Sequence, residues 1–191
     1  MAVRKATKDL YKNTLLSLAQ ARPLHKITLK EIIGNSGTAK QTFYNHFADK
    51  YDLINYVLYD FVEGIEKTHA MRSYEGVLSV LKYTKENSYF FTAVAESNCP
   101  SNFPEFFYRW CVNYYVKSLQ EEFKLEAIPS AIKIAIGFYC HGAVGIYIDW
   151  IHRGMVEKKE LVAETIVNCR PEILTQYFPV DDEEENMVLK N

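Results

Sequence analysis

The sequence lacks the features that mark membrane, secreted and disulfide-bonded proteins. The sequence has no continuous run of about 18 apolar residues, the length that a membrane-spanning helix needs. The longest candidate, residues 134–148, contains three glycines and a histidine. Residues 1–13 lack the apolar segment of a secretory signal. The four cysteines stand far apart, with no Cys-x-x-Cys pair and no histidine at metal-ligand spacing. These absences predict a cytoplasmic protein without a disulfide, a metal site or a membrane segment.

Motifs of the common enzyme classes are also missing. The chain has no Gly-x-Ser-x-Gly elbow, no P-loop and no dinucleotide-binding glycine motif. His69, His141 and His152 are isolated, and we expect each to be a surface or core histidine. The sequence therefore predicts a protein that is not an enzyme and needs no cofactor.

Glycine and proline are scarce, at 8 and 6 residues, and no segment alternates apolar and polar residues as a strand does. Helical spacing recurs throughout, which predicts an all-α fold. Besides short helices between residues 28 and 48 and a long helix that follows Asp49, we expect helices near 6–21, 74–87, 89–97, 103–125, 129–154 and 159–177.

The net charge of −2 conceals a division of the chain. Residues 1–50 carry nine Lys and Arg against three Asp and Glu, whereas the remainder is acidic. Such asymmetry suggests a basic module for nucleic acid, although chance fluctuation over 50 residues is an alternative. We predict a DNA-binding domain at 1–50, a helical effector and dimerisation domain at 51–180, and an acidic, disordered tail at 181–191.

Residues 28–50 contain the start and stop signals of two short helices joined by a tight turn. Thr28 and Glu31 form a capping-box pattern, in which each side chain satisfies an exposed backbone N–H. Gly37 is a stop signal, because glycine adopts a left-handed conformation without steric cost. Thr38 and Gln41 repeat the capping-box pattern. With a supporting helix before them, these elements predict a helix-turn-helix.

The helix after the turn has one apolar and one polar face. Phe43 and Phe47 are expected to face the core of the three helices, which leaves on the outer side Lys40, Gln41, Tyr44 and Asn45. Gln and Asn can pair bidentately with adenine, and Lys donates to guanine or phosphate. Tyr44, His46 and Lys50 suit phosphate contacts. Two alternatives stay open: Gln41 as only the capping partner of Thr38, and His46 as an ordinary surface histidine.

The order Gly37, then Thr-Phe-Tyr-Asn-His-Phe at 42–47, then Lys50 and Leu53, resembles the DNA-binding signature of the TetR family of bacterial transcriptional regulators. The resemblance covers about residues 6–55. Residues 41–53 and 142–155 further resemble the subgroup that includes activators of dihydroxyacetone kinase operons. The resemblance implies a homodimer on a palindromic double-stranded DNA operator, with contacts from Thr28, Lys30, Thr38, Lys40, Gln41, Thr42, Tyr44, Asn45, His46 and Lys50.

The chain departs from the family pattern after the turn. Many members have Val-Ser there, followed two residues later by Gly. Here those positions are Thr38-Ala39 and Gln41, so we expect Thr38 to replace the Ser cap. The Gln41 side chain either adds a base contact or blocks a close backbone approach, and the operator, the effector and the sign of regulation stay open.

The helix at 129–154 is the predicted dimer interface. Each of its glycines weakens a helix by up to about 1 kcal/mol, which makes sense where another helix approaches closely. With the helix at 159–177 as its partner in a four-helix interface, we predict an interface formed by Gly142, Gly145, Ile146, Trp150 and Ile166. The alternative is that the glycines only ease packing within one protomer.

The middle of the chain is rich in aromatic residues, where the resemblance implies an effector pocket. We predict a lining of Phe61, Tyr89, Phe90, Phe107, Trp110, Cys111 and Tyr114. A hydrophobic core and a surface for a coactivator protein are the alternatives. A further alternative for the whole chain is a helical adaptor whose helix-turn-helix does not bind DNA. One exposed basic face formed by Lys40, Tyr44, His46 and Lys50 would argue against the adaptor, whereas their burial or pairing with carboxylates would favour it.

Overall fold

The computed structural model describes residues 2–68, 71–96 and 100–179. Within these ranges the chain is all-α, as predicted, with one short 3-10 helix, η1 (Leu24–Lys26), and no strand. The predicted tail at 181–191 lies outside the described residues. The α-helices are α1 (Ala2–Ala21), α2 (Leu29–Ser36), α3 (Lys40–Tyr44), α4 (Lys50–Thr68), α5 (Tyr74–Glu86), α6 (Ser88–Ala95), α7 (Phe103–Glu122), α8 (Ser130–His152), α9 (Lys159–Asn168) and α10 (Glu172–Thr175).

Most helix ends follow the predicted signals, with three differences of three or more residues. α7 ends at Glu122 and not at the predicted residue 125. α1 begins at Ala2, four residues before the predicted start. The predicted single helix at 159–177 is wrong, because α9 ends at Asn168 and α10 begins at Glu172. Pro171 explains this break, since proline disfavours the helical conformation in the residue before it and suits the start of a helix.

The first compact unit consists of the described residues within Met1–Glu63 and Thr84–Phe103, and the DNA-binding domain predicted at 1–50 falls within it. Tyr11 of α1 lies at the centre of its helix-turn-helix part and is fully buried. The Tyr11 ring meets Phe43 and Phe47 edge to face, with centroid distances of 5.1 and 6.0 Å. These aromatic contacts join α1 to α3 and to the residues that follow it.

The second compact unit consists of the described residues within Gly64–Tyr83 and Pro104–Asn191. Its core contains Tyr115, Tyr139 and Trp150, all buried. The buried Arg170 donates hydrogen bonds to the carbonyls of Phe178 and Arg72, at 2.6 and 2.9 Å. This arginine thus ties the end of the described chain to the turn between α4 and α5.

α8 is the one helix, among the residues described, that is long and apolar enough to cross a membrane. Length and composition are the only basis for this, and 44% of its most apolar window is buried. Core helices of soluble proteins meet the same test, so the observation is weak evidence for a membrane span.

Candidate nucleic-acid interface

The start of α2 is fixed by the predicted capping box. The backbone N–H of Thr28 donates to Glu31 Oε2 at 2.8 Å, and the N–H of Glu31 donates to Thr28 Oγ1 at 3.3 Å. The bond from the Thr28 N–H, and after it one of 2.8 Å from the Thr28 hydroxyl to Glu31 Oε2, lower the pKa of the Glu31 carboxyl, and Arg22 adds an ion pair at 2.8 Å. Lys30 is exposed on the first turn of this helix. The box therefore holds Thr28 and Lys30 in a defined place.

The turn between α2 and α3 has the left-handed glycine that the sequence predicts, with φ of 67° at Gly37. The second predicted capping box is wrong: Ala39 is the N-cap of α3, and no side chain caps it. The Thr38 hydroxyl instead hydrogen-bonds to the hydroxyl of Tyr11 and, at 2.8 Å, to that of Ser36. Thr38 therefore ties the turn to α1, and Gln41 is free of the predicted capping role.

The outer face of α3 is polar and exposed, while Phe43 is fully buried. Gln41 Nε2 donates to Asn45 Oδ1 at 3.1 Å, which aligns two amide side chains one helical turn apart. The ammonium of Lys40 lies 5.8 Å from the centre of the Tyr44 ring. Thr42 is half-buried beside this face. The exposed residues of the face are Lys40, Gln41, Tyr44 and Asn45.

Lys50, at the start of α4, is half-buried and contacts backbone carbonyls. Its ammonium donates to the carbonyls of Ile27 and Leu24, at 3.1 and 3.3 Å. Asp49 caps the helix as predicted, accepting from the N–H groups of Tyr51 and Asp52. Lys50 therefore fastens the segment just before the α2 cap to α4.

His46 lies just after α3, where basic residues of α1 approach it. Its ring is half-buried, and Nδ1 is buried with no hydrogen-bond partner among the described residues. Burial, and then the charges of Arg4 and Lys8, lower the pKa of His46. Sequence reasoning missed Arg4 and Lys8 because they lie about forty residues away. Their spacing of one helical turn was the available signal.

A different surface occurs on α8 in the second unit. Ile134 and Phe138 are 73% and 72% exposed, one turn apart. Gly142 and Gly145 continue this face, and a Cβ atom at either would meet no heavy atom within 4 Å. These two glycines therefore do not ease packing within the described protomer. Ile146 beside them is half-buried.

Two residues predicted for the dimer interface are buried inside the protomer. Trp150 is fully buried, and its indole N–H donates to the carbonyl of Glu157 at 3.1 Å. Five residues after Gly145, it lies about 140° around the helix and faces the core. Ile166 is 4% exposed, and Tyr139 donates to its carbonyl. Neither side chain belongs to the exposed face of α8.

The seven predicted pocket residues are divided between the two compact units. In the first, Phe61 and Phe90 are buried, and Tyr89 is 55% exposed. In the second unit, Phe107, Cys111 and Tyr114 are buried. The half-buried Trp110 stacks between the rings of Phe107 and Tyr114. Five of the seven are thus core residues. One open cleft of about 210 Å³ in the first unit is lined by Leu16, Ala19, Gln20, Glu86, Asn87, Ser88, Tyr89 and Phe90.

Comparisons with known proteins agree with this arrangement of helices. Residues 14–57 match the family described as bacterial regulatory proteins, tetR family. Residues 72–169, just over half of the chain, match the family of transcriptional regulator C-terminal regions. No curated protein matches the sequence.

Several solved structures share the fold. One is a dihydroxyacetone kinase operon activator, DhaS, with a TM-score of 0.68, 22% identity, and coverage of 90% of this chain and 96% of that one. A TetR transcriptional regulator from Streptococcus agalactiae 2603V has a TM-score of 0.58 and 21% identity, covering 87% and 94% of the chains. A TetR-family transcriptional regulator from Syntrophomonas wolfei str. Goettingen has a TM-score of 0.57 and 19% identity, covering 86% of this chain and 92% of that one.

Proposed function

The chain belongs to the TetR family of bacterial regulatory proteins, and from this premise we propose that it is a cytoplasmic, homodimeric transcriptional regulator that binds a palindromic DNA operator. The observation that carries the proposal is the outer face of α3. Its four polar side chains are exposed on a helix whose opposite face is locked into an aromatic core. A short, firmly held helix with a polar outer face suits insertion into a major groove.

The side chains of this face divide by the contacts that they would make. We assign base contacts to Gln41 and Asn45, whose amides present donors and acceptors to adenine. Lys40 and Tyr44 lie beside them as donors to guanine or phosphate. Thr28 and Lys30 at the start of α2 would contact the backbone, and the half-buried Thr42 would offer its methyl group to thymine.

The exposed face of α8 is where we place the dimer interface. A single head buries little surface, and two heads would have to engage half-sites about 34 Å apart. Ile134 and Phe138 supply exposed apolar area, and the open Cβ positions of Gly142 and Gly145 allow close approach of a second backbone. Ile146 lies at the edge of this face. A second copy of the chain is the occupant that fits a self-complementary apolar helix face.

We propose that residues 51–180 carry the control function, through a small effector or a partner protein. An effector shifts the regulator between two states only by its differential affinity for them. The structural neighbour DhaS is named as an operon activator. Activation is therefore as much an expected output as repression, and a promoter-reporter assay separates the two.

The experiment that tests the proposal is selection of binding sites from a pool of random duplexes, followed by affinity measurements over a range of salt concentrations. We expect an inverted repeat with half-sites about one helical turn apart. The logarithm of the binding constant should fall linearly with the logarithm of the salt concentration. A protein that selects no sequence and shows no salt-dependent preference for its own upstream DNA would instead be the helical adaptor. Against that alternative, Lys40 and Tyr44 are exposed and pair with no carboxylate in the described part of the chain, whereas His46 and Lys50, the other two residues of the predicted basic face, are half-buried.

A further inference from the structure

α1 carries a stripe of basic residues on one face. Arg4, Lys8 and Lys12 follow at intervals of four residues, which places them one above the other along the helix. At the inner end the charge is neutralised, because the Lys12 ammonium lies 2.7 Å from Asp60 and 3.5 Å from Asp9. Within the described ranges, Arg4 and Lys8 have no carboxylate at ion-pair distance. Among the described residues, the stripe therefore lacks carboxylate partners only at its outer end, at Arg4 and Lys8.

Lys8 is held in place by aromatic rings. Its ammonium lies 5.0 Å from the centre of the Tyr56 ring and 5.2 Å from that of Phe47. Tyr56 is itself oriented by a hydrogen bond of 2.9 Å to Asp9. Cation–π contacts of this kind fix the position of an ammonium but leave its N–H donors available. Lys8 is therefore presented beside the residues that follow α3.

His46 is the neighbour that makes this group unusual. The charges of Arg4 and Lys8 both act on its imidazole, which is half-buried and has no partner for Nδ1. Three nitrogen-bearing side chains are thus gathered from two elements with no acid among their ion-pair partners in the described residues. The cationic Arg4 and Lys8, one helical turn apart, repel each other, and an anion would relieve the repulsion.

Helix stability offers no reason for this arrangement. The positive end of the helix dipole lies at the N-terminus, so acidic residues stabilise the first turns and basic residues oppose them. The first turn of α1 contains no acidic residue, and Arg4 lies within it. A ligand with negative charge accounts for basic residues at this position.

We infer that Arg4, Lys8 and His46 form a second DNA-phosphate-binding surface, here called the α1 surface, which binds the backbone beside the groove engaged by α3. The inference rests on the proposed DNA-binding function, because His46 directly follows the C-terminal cap of α3. Backbone phosphate is the ligand because each of the three side chains can donate to an oxyanion, and in the described part of the chain Gln41 and Asn45 bond to each other and to none of the three. The α1 surface would position the head without contributing to base preference.

The test compares the double variant R4Q/K8Q with wild type and with K82Q/K124Q, which removes two exposed lysine charges from the second unit. Affinity is measured by fluorescence anisotropy on the selected operator and on random duplex. The salt concentration is varied from about 0.05 to about 0.3 M, because the affinity is expected to change steeply over this range. We expect the slope of log K against log salt to fall by about two for each head in R4Q/K8Q. Affinity at 0.15 M salt should fall about fivefold for each lost contact, on both DNAs alike. The control should keep the wild-type slope.

A second measurement locates the contact. Ethylation interference on the operator should reveal a phosphate in each half-site whose modification weakens wild type but not R4Q/K8Q, and far-UV circular dichroism checks that the variant is folded. A double variant that keeps the wild-type slope and interference pattern would overturn the α1 surface and leave the proposed function intact. If wild type itself binds no duplex, the proposed function fails first.

Discussion

The outer faces of α3 and α8 are both exposed, yet they differ in chemistry. α3 presents amide, ammonium and phenol groups, whereas α8 presents Ile134, Phe138 and two glycines. Hydrogen-bond donors and acceptors lose little when they face water, but exposed isoleucine and phenylalanine on one helix face are unfavourable in an isolated monomer. The contrast indicates two different partners, a polar and charged one for α3 and an apolar one for α8.

The two helices that carry these faces also differ in length and in how they are held in the fold. α3 has five residues, and contacts with other elements hold it in place. Its Phe43 packs in the core, Thr38 of the preceding turn bonds to Tyr11 of α1, and Lys50 of α4 binds the segment before α2. α8 has 23 residues and carries its own row of buried side chains. A short helix positioned by others suits precise placement against a ligand, while a long helix suits an extended contact with its own copy.

Disrupting the α8 face should have the largest effect. The double variant I134E/F138E places two carboxylates where a second copy would pack, so the protein should become monomeric. Operator affinity should fall by about 10²- to 10⁴-fold, because the second head no longer binds intramolecularly. Sedimentation velocity and anisotropy measure the two effects. Y89E, a change of an exposed aromatic residue in the first unit, is the control. Retention of the dimer in I134E/F138E would refute our placement of the interface.

The α3 face should lose specificity more than affinity when an amide is removed. Q41A deletes one predicted base contact and also the hydrogen bond that orients Asn45. Discrimination at one base pair of each half-site should fall by about 1–3 kcal/mol, with random-duplex binding unchanged. Site selection with the variant measures this preference. If Q41A selects the wild-type motif with undiminished stringency, Gln41 makes no base contact, and N45A becomes the next variant to compare.

Much of this contrast was predictable from local signals. The Thr28 capping box, the left-handed Gly37 and the Asp49 cap depend on residues within four positions of one another, and all three are present. The burial of Phe43 and Phe47 follows from their four-residue spacing. Features of this range are encoded locally, so a single sequence is sufficient to predict them.

The errors share a different origin, which is competition from residues distant in sequence. Thr38 has the pattern of an N-cap, but its hydroxyl is engaged by Tyr11, 27 residues away. Trp150 stands four residues after Ile146, the spacing of a shared helix face, but its side chain packs into the core of the second unit and is fully buried. The unpaired charge of Arg4 and Lys8 became visible only once Asp60 was seen to neutralise Lys12. Pairing of this kind requires the fold.

Lys50 sharpens the comparison, because the sequence predicted a phosphate contact and the structure places its ammonium on two carbonyls. We propose that it positions the α2 cap. K50M should lower the free energy of unfolding by about 1–3 kcal/mol. If about 1.4 kcal/mol of preorganisation is lost, operator affinity falls about tenfold, with the salt slope unchanged. Chemical denaturation and salt-dependent anisotropy measure the two effects. K50R, which keeps the donors, should recover both, whereas a slope reduced by about one per head in K50M would restore the phosphate contact.

The smallest effect should come from the protonation of His46. Burial and the charges of Arg4 and Lys8 hold its pKa below the ordinary 6.5, so the free protein carries it neutral at pH 7. A bound phosphate would neutralise those two charges and favour the imidazolium, so that binding takes up a proton. Operator affinity should therefore rise about threefold to tenfold as pH falls from 7.5 to 5.5.

Folding stability should change in the opposite direction over the same range. Because the folded-state pKa of His46 lies below the unfolded value, its contribution to stability is present above pH 6.5 and is lost as pH falls through the lower pKa. Anisotropy and denaturation at matched pH separate the two trends, and H46Q should flatten both. If affinity instead falls together with stability, and does so equally in H46Q, the imidazole does not face phosphate, and the α1 surface would consist of Arg4 and Lys8 alone.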